Sequence, residues 1–155
     1  MTKTIKFPTK NFFKEGGKDS TIPFMTKHSV EDLLKNHLIK PNEVVLKNRD
    51  IKICFNYPFK QPFIFTFSSP NGDGFTRGQL AEIIINQYYQ MYREEDETIQ
   101  EKPVLSLEER KQVSFLINRN ETDGKYGIWG HDMDDLSLNS MSIDKDGIWH
   151  LSIDS

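Results

Sequence analysis

An imidazole and three carboxylates crowd into five residues late in the sequence, in the segment HDMDD. The four side chains are those of His131, Asp132, Asp134 and Asp135. Imidazole nitrogens and carboxylate oxygens are ligands that non-haem iron and harder divalent ions use. The segment is therefore a candidate metal site, with His150 as the best distant ligand. In the alternative interpretation, the acids line a solvated loop and one of them caps a turn.

Other catalytic patterns are incomplete. The string that begins at Asn71 resembles a calcium loop, but it has Phe75 and Thr76 where that loop needs an oxygen ligand and a glycine. The same stretch lacks the lysine of a phosphate-binding loop, and no nucleophile-elbow pattern is present. Cys54 has no base or stabilising charge beside it in the sequence. These absences favour a non-catalytic protein over an enzyme.

Aromatic side chains form a second group of candidates, for binding rather than catalysis. The tripeptide GIW occurs at Gly127–Trp129 and again at Gly147–Trp149. Both tryptophans could pack on the core beside tight turns, or the glycine-flanked Trp129 could stand exposed as a binding anchor. The other binding candidates are Tyr126, Tyr89, Phe12 and Phe13.

A long amphipathic helix is the strongest structural signal, over about 76–95. Its apolar residues recur at steps of three and four, as on one face of an α-helix. Thr76 and Gln79 have the spacing of a capping box, in which each side chain binds the other residue's backbone N–H. The acids from Glu94 to Glu97 lie at the negative end of the helix dipole. They predict fraying, followed by an exposed acidic loop through Lys102.

Two shorter helices and several strands complete the pattern. Helices are predicted over 29–39 and 106–117, although the second half of the latter also alternates like a strand. Alternation from Ile51 to Phe55 and from Phe63 to Phe67 predicts two strands. Cys54 then shares the less apolar strand face with Lys52.

The tail predicts a β-hairpin whose register can be deduced. A three-residue loop ending at Gly147 places Ile143 opposite Trp149 and Met141 opposite Leu151, so that both pairs are apolar. Leu136 and Leu138 are out of phase with this pattern, which predicts a bulge near 139–140.

Together these elements predict an α+β fold. A small, mostly antiparallel sheet from residues 44–68 and 136–153 packs against the long helix. The expected organisation is an extended basic and aromatic arm over 1–27, followed by one domain over 28–155.

Charge is distributed unevenly along the 155 residues. Residues 1–60 hold 12 Lys+Arg and 6 Asp+Glu, whereas residues 61–155 hold 8 and 17, a balance of +6 against −9. A basic arm could fold over the acidic body or meet an acidic partner. Lysines interleaved with phenylalanines resemble a surface for single-stranded nucleic acid, although the arm lacks arginine.

Cellular location is only loosely constrained. One cysteine excludes an intrachain disulfide, and no apolar run has the length of a membrane span. We expect an intracellular protein, cytoplasmic or nuclear, that does not enter membranes. A mitochondrial presequence stays open because residues 1–14 lack acids.

Three functional hypotheses result. The leading one is a non-catalytic interaction protein, a subunit or adaptor that binds another protein or its own copy, without a cofactor. The alternatives are a metal-dependent enzyme or metal binder centred on His131–Asp135, and a nucleic-acid-binding protein that uses the basic arm.

Overall fold

The α+β prediction is confirmed. The computed structural model describes residues 3–10, 22–24, 30–113 and 118–155. The strands are β1 (Thr4–Lys6), β2 (Ile22–Pro23), β3 (Val44–Leu46), β4 (Asp50–Phe55), β5 (Phe63–Ser68), β6 (Phe75–Thr76), β7 (Ser137–Ile143) and β8 (Ile148–Asp154). The helices are α1 (Val30–Asp32), which continues as a π-helical turn (Leu33–His37), α2 (Arg77–Thr98), α3 (Leu107–Val113) and a 3-10 turn (Met133–Asp135).

The main sheet has the strand order β1-β7-β8-β4-β5, and β2 also pairs with β7. Its neighbouring strands run antiparallel except for β4 and β8, which are parallel. A parallel neighbour requires a crossover connection, and the chain between β4 and β8 supplies it with α2. A separate two-stranded ladder joins β3 to β6.

Helix α2 begins at the predicted capping box. The Gln79 N–H donates to Thr76 Oγ1 at 3.1 Å, and the Thr76 N–H donates to Gln79 Oε1 at 2.9 Å. The apolar face of the helix buries Leu80, Ile84 and Tyr88 completely in the main core. Burial of such side chains contributes about 1.5–3 kcal/mol each, which holds the helix on the sheet.

The C-terminal hairpin has the predicted register. Ile143 pairs with Trp149 and Met141 with Leu151, and Gly147 has the positive φ of 80° that the turn needs. The ladder shifts register between Leu138 and Ser140, which confirms the predicted bulge.

Described parts of the first 27 residues belong to the main sheet. Strands β1 and β2 both pair with β7. Phe7, Ile22 and Phe24 are buried at 1% exposure or less. Phe12 and Phe13 lie outside the described residues.

The shorter helices lie where the sequence placed them. In α3, Ser106 and Glu109 exchange the two capping-box hydrogen bonds, at 3.2 and 3.4 Å. The strand alternative for the second half of that segment concerns residues 114–117, which are outside the described ranges. Cys54 shares its strand face with Lys52 but is buried at 4% exposure, and burial raises the pKa of its thiol.

Candidate functional site

A buried carboxylate organises the loop that carries the candidate residues. Helix α2 continues past Glu95, whose side chain has 0% exposure. Its two oxygens accept hydrogen bonds from one hydroxyl and four backbone N–H groups of the loop. The donors are Thr122 Oγ1 (2.6 Å), Gly124 N (3.0 Å), Tyr126 N (2.8 Å), Gly127 N (3.1 Å) and Ile128 N (3.3 Å).

The expectation of an exposed acidic loop was wrong for Glu95. The charge of a buried carboxylate is tolerated because the loop supplies donors to it. Burial by itself raises the pKa of Glu95, but the hydrogen bonds from Thr122 and from the backbone outweigh it and leave the pKa lowered. Glu95 is therefore an ionised anchor for the loop.

The glycines of this loop allow its backbone to approach the helix. A Cβ atom on Gly124 would lie 2.5 Å from the Glu95 carbonyl oxygen and 2.6 Å from Oε1. Gly127 has a φ of +62°, which strains any side chain other than hydrogen. The spacing DGKYG thus lets successive N–H groups converge on one carboxylate.

Two further polar side chains bind the loop to the chain that follows α2. Asp123 accepts hydrogen bonds from the N–H groups of Gln100, Glu101 and Lys102, at 2.9–3.2 Å. Asn120 accepts from the Leu105 N–H at 2.9 Å. The connection after the helix is therefore held in one conformation by side chains of the loop.

Asp132, one of the metal candidates, faces two arginines. Arg110 donates from its two terminal nitrogens to the Asp132 oxygens at 2.6 and 3.2 Å, and Arg119 lies 3.8 Å from Oδ1. Both arginines are at least 94% buried, and Arg119 also lies 5.5 Å from the centre of the Tyr92 ring. The fork of Arg110 occupies one acceptor position on each Asp132 oxygen, and its positive charge opposes a cation there.

Of the other three metal candidates, two lie close to each other. His131 Nδ1 lies 3.8 Å from Asp135 Oδ2, and Asp135 Oδ2 also accepts from the Asp132 N–H as part of the capping box of the 3-10 turn. Asp134 is exposed to solvent. Within the described ranges, no group of three or more His, Cys, Asp or Glu side chains could hold a metal ion.

Trp129 remains at the surface of this otherwise anchored loop. Its backbone N–H donates to the Pro58 carbonyl at 3.1 Å, and its indole N–H donates to the Phe59 carbonyl at 3.4 Å. Even so, 42% of Trp129 is exposed. Its ring meets Tyr57 edge to face at 5.3 Å, and His131 lies 5.5 Å from Tyr57. We call Trp129, Tyr57 and His131 the aromatic patch.

The other two described binding candidates lie in different surroundings. Tyr126 is 1% exposed, and its hydroxyl donates to Glu94 Oε2 at 2.9 Å. Tyr89 is half-buried on α2, where burial, and then the nearby charge of Asp134, raise the pKa of its hydroxyl. Among the described binding candidates, Trp129 therefore has the most open ring surface.

Sequence reasoning missed Glu95, Tyr57 and the two buried arginines. Glu95 lies within a run of four acids, so nothing local distinguishes it from its exposed neighbours. The one available signal was the glycine-rich loop, which offers several N–H donors and needs an acceptor. Tyr57 is brought to Trp129 only by the fold.

A scan of protein-family models finds no match to this sequence. Searches of curated proteins and of solved structures also find none. Among the described helices, none is both long and apolar enough to cross a membrane.

Proposed function

We propose that this protein is a non-catalytic interaction subunit or adaptor that binds a protein partner through the aromatic patch. The observation that carries the proposal is the exposure of Trp129, 42%, within a loop whose backbone is fixed by Glu95, Asp123 and Asn120. Tryptophan is the residue most enriched among those that dominate binding energy at interfaces.

Fixing the loop in advance favours binding. A flexible segment loses conformational entropy when it binds, at about 0.5–1.5 kcal/mol for each immobilised side chain. Trp129 is already held by two hydrogen bonds to the segment Pro58–Phe59 and by the Tyr57 ring. A partner would therefore gain the contact with the indole ring with little ordering cost.

The surroundings of the patch define the chemistry of the partner. Asp134 and Asp135 are exposed beside His131, and residues 61–155 carry a net charge of −9. Complementary charge accelerates encounter and orients a partner. We expect an apolar pocket for the indole, bordered by lysine or arginine.

The test is capture of partners from extracts of the source cell by the immobilised full chain. Trp129→Ala is compared with Leu107→Ala, since Leu107 is another exposed apolar residue, at 59%. A protein retained by the parent and by Leu107→Ala, but lost with Trp129→Ala, is the expected result. Circular dichroism checks that both variants are folded. Equal retention by the two variants contradicts the proposal.

The two alternative functions have less geometric support. A metal centre at His131–Asp135 would place a cation beside the positive charge of Arg110, and elemental analysis of purified protein tests for it. For nucleic acid, the test is salt-sensitive binding that is lost when lysines of residues 1–27 are substituted. Deletion of the arm is a poorer test because Phe7, Ile22 and Phe24 belong to the core.

A further inference from the structure

Strand β5 ends the main sheet with one side open. It pairs with β4 over all six of its residues, and no other strand in the described part of the chain pairs with it. Ile64 is 51% exposed, while Phe63, Phe65 and Phe67 are half-buried on the opposite face. The strand thus presents both an unpaired backbone and incompletely covered phenylalanines.

The direction of the free backbone groups follows from one hydrogen bond. The Ser69 N–H donates to the Arg49 carbonyl at 2.7 Å, in register with the β4–β5 ladder. In an antiparallel ladder, hydrogen-bonded pairs alternate with non-hydrogen-bonded ones. Phe63, Phe65 and Phe67 therefore direct their N–H and C=O groups toward β4. The backbone groups of Ile64, Thr66 and Ser68 point away from the sheet.

The strands at the two ends of the main sheet differ in length and in charge. Strand β1, which shares the opposite end with β2, has three residues, follows Lys3 and ends at Lys6. Short length and lysines are devices that prevent edge-to-edge pairing. Strand β5, FIFTFS, has six residues, no charge, no internal proline and an uninterrupted register. A strand of this kind is a template for pairing with another chain.

We propose that β5 pairs with β5 of a second copy of this chain, antiparallel about a two-fold axis at Phe65. Ile64 of each copy then lies opposite Thr66 of the other. These two residues carry outward N–H and C=O groups, so the two symmetric pairs form four hydrogen bonds. Phe63 lies opposite Phe67, and Phe65 opposite its own copy, on the face that α2 covers. The aromatic rings therefore continue from one sheet into the next.

A second copy fits this edge because the strand is complementary to itself. The phenylalanines at 63, 65 and 67 are symmetric about the central one, and cross-strand aromatic pairs stabilise sheets. Lys60, the nearest described charge before the strand, lies opposite Pro70 in this register, so like charges do not meet. An isologous contact also closes on itself, so that β5 is no longer an open edge in either copy.

The first test is the mass of the full chain in solution, by sedimentation or light scattering over a range of concentrations. The expected species has twice the chain mass of 18.1 kDa. Thr66→Pro removes an outward N–H without removing a bond to β4, and it should halve that mass. The control is Thr66→Val, which keeps the N–H and should stay dimeric. Circular dichroism and thermal unfolding report whether each variant is folded.

A disulfide test measures the register and does not depend on the proline variant. In a Cys54→Ser background, Phe65→Cys brings two thiols together across the axis, where facing Cα atoms of a non-hydrogen-bonded pair are about 4.5 Å apart. Mild oxidation should convert Phe65→Cys to a covalent dimer. Phe67→Cys, the control, faces Phe63 of the other copy and should remain monomeric on a denaturing gel.

Several outcomes overturn the proposal. One is a parent chain that stays monomeric at the highest soluble concentration. Another is a dimer that persists in folded Thr66→Pro. A third is equal cross-linking of Phe65→Cys and Phe67→Cys. A monomer that instead binds an extended peptide along β5 assigns the edge to a strand from another protein. Each of these results leaves the Trp129 proposal standing, because that proposal concerns capture of a partner by a different side chain.

Discussion

The tripeptide GIW has opposite orientations in its two occurrences. At Gly127–Trp129 the isoleucine is fully buried and the tryptophan is 42% exposed. At Gly147–Trp149 the isoleucine is half-buried and the tryptophan is 2% exposed. Both glycines have positive φ, at 62° and 80°. Identical residues with the same turn-forming glycine therefore present opposite faces to the core.

The difference comes from the partner of each isoleucine N–H. In the loop, the Ile128 N–H donates to the buried Glu95 carboxylate, which draws this residue inward. In the hairpin, the Ile148 N–H donates to Asp144 at the turn, and the strand alternation then directs Trp149 to the core. The distant acceptor Glu95 thus sets the orientation of Ile128, and the local turn at Asp144 sets that of Ile148.

The largest expected difference is between the two tryptophans themselves. Trp149→Ala should lower the free energy of unfolding by about 3–5 kcal/mol, because it leaves a cavity in the core. Trp129→Ala should lower it by only about 1 kcal/mol, because the change removes one hydrogen bond and the contact with the Tyr57 ring but leaves no core cavity. Urea denaturation followed by circular dichroism measures both. Equal losses would show that the indole of Trp129 is a structural element of the fold.

Removing the Glu95 acceptor should loosen the loop at Gly127–Trp129 and leave the hairpin at Gly147–Trp149 in place. Glu95→Gln replaces a carboxylate oxygen by an amide that faces N–H donors, and it should cost about 3 kcal/mol, since hydrogen bonds to a charged group contribute about 1.5–3 kcal/mol each. The control is Glu97→Gln, an exposed neighbour on the same helix. Hydrogen exchange should accelerate more at the Tyr126 and Ile128 amides, which lose their acceptor, than at the Trp149 amide, which responds only to the change in global stability. Unchanged exchange in the loop contradicts the anchoring role.

Acid should weaken the same anchor. Because the pKa of Glu95 is lowered in the folded protein, its contribution is complete above the pKa of the unfolded chain and is lost as the pH falls toward the folded value. Over this window, stability should fall by up to about 1.4 kcal/mol per pH unit for this one group. Urea denaturation at a series of pH values should therefore show that the parent and Glu95→Gln become more similar in free energy of unfolding as the pH falls below the ordinary pKa of a carboxyl group. A difference in free energy of unfolding that stays constant with pH contradicts an ionised Glu95 anchor.

The smallest expected difference separates the two glycines. Gly147→Ala should cost about 1 kcal/mol, since its Cβ enters open space and only the positive φ opposes it. Gly127→Ala should cost more, because its Cβ would also lie 2.8 Å from Cδ and 3.0 Å from Cβ of Lys60. Adding Lys60→Ala should recover part of the loss at 127 and none at 147, as a double-mutant cycle in urea measures. If Gly127→Ala costs the same free energy of unfolding with and without Lys60, the contact with Lys60 is not the cause of the loss.

The sequence predicted those features whose determinants lie close together in the chain. Thr76 and Gln79 are three residues apart and locate the start of α2. The register of the hairpin follows from alternation around a single turn. Neither needs knowledge of a distant segment.

The site could be predicted only in part because its determinants are distant in sequence. Glu95 meets donors 27 to 33 residues away, and Asp132 meets Arg110 at a separation of 22. An acid in an acidic run has the same local pattern whether it is exposed or buried. Trp129 was identified as a candidate, but its exposure depends on Glu95 and on Pro58.

The position of β8 has a consequence for synthesis on the ribosome. Strand β8 follows the other described strands along the chain but lies in the middle of the sheet, between β7 and β4. Until it emerges, the nascent chain holds β4 with β5, and β1 with β7, as two fragments that share no ladder. The two halves of the sheet can therefore be joined only after β8 has left the ribosome. A product that stops at the turn before β8 would expose two bare strand edges to chaperones and proteases.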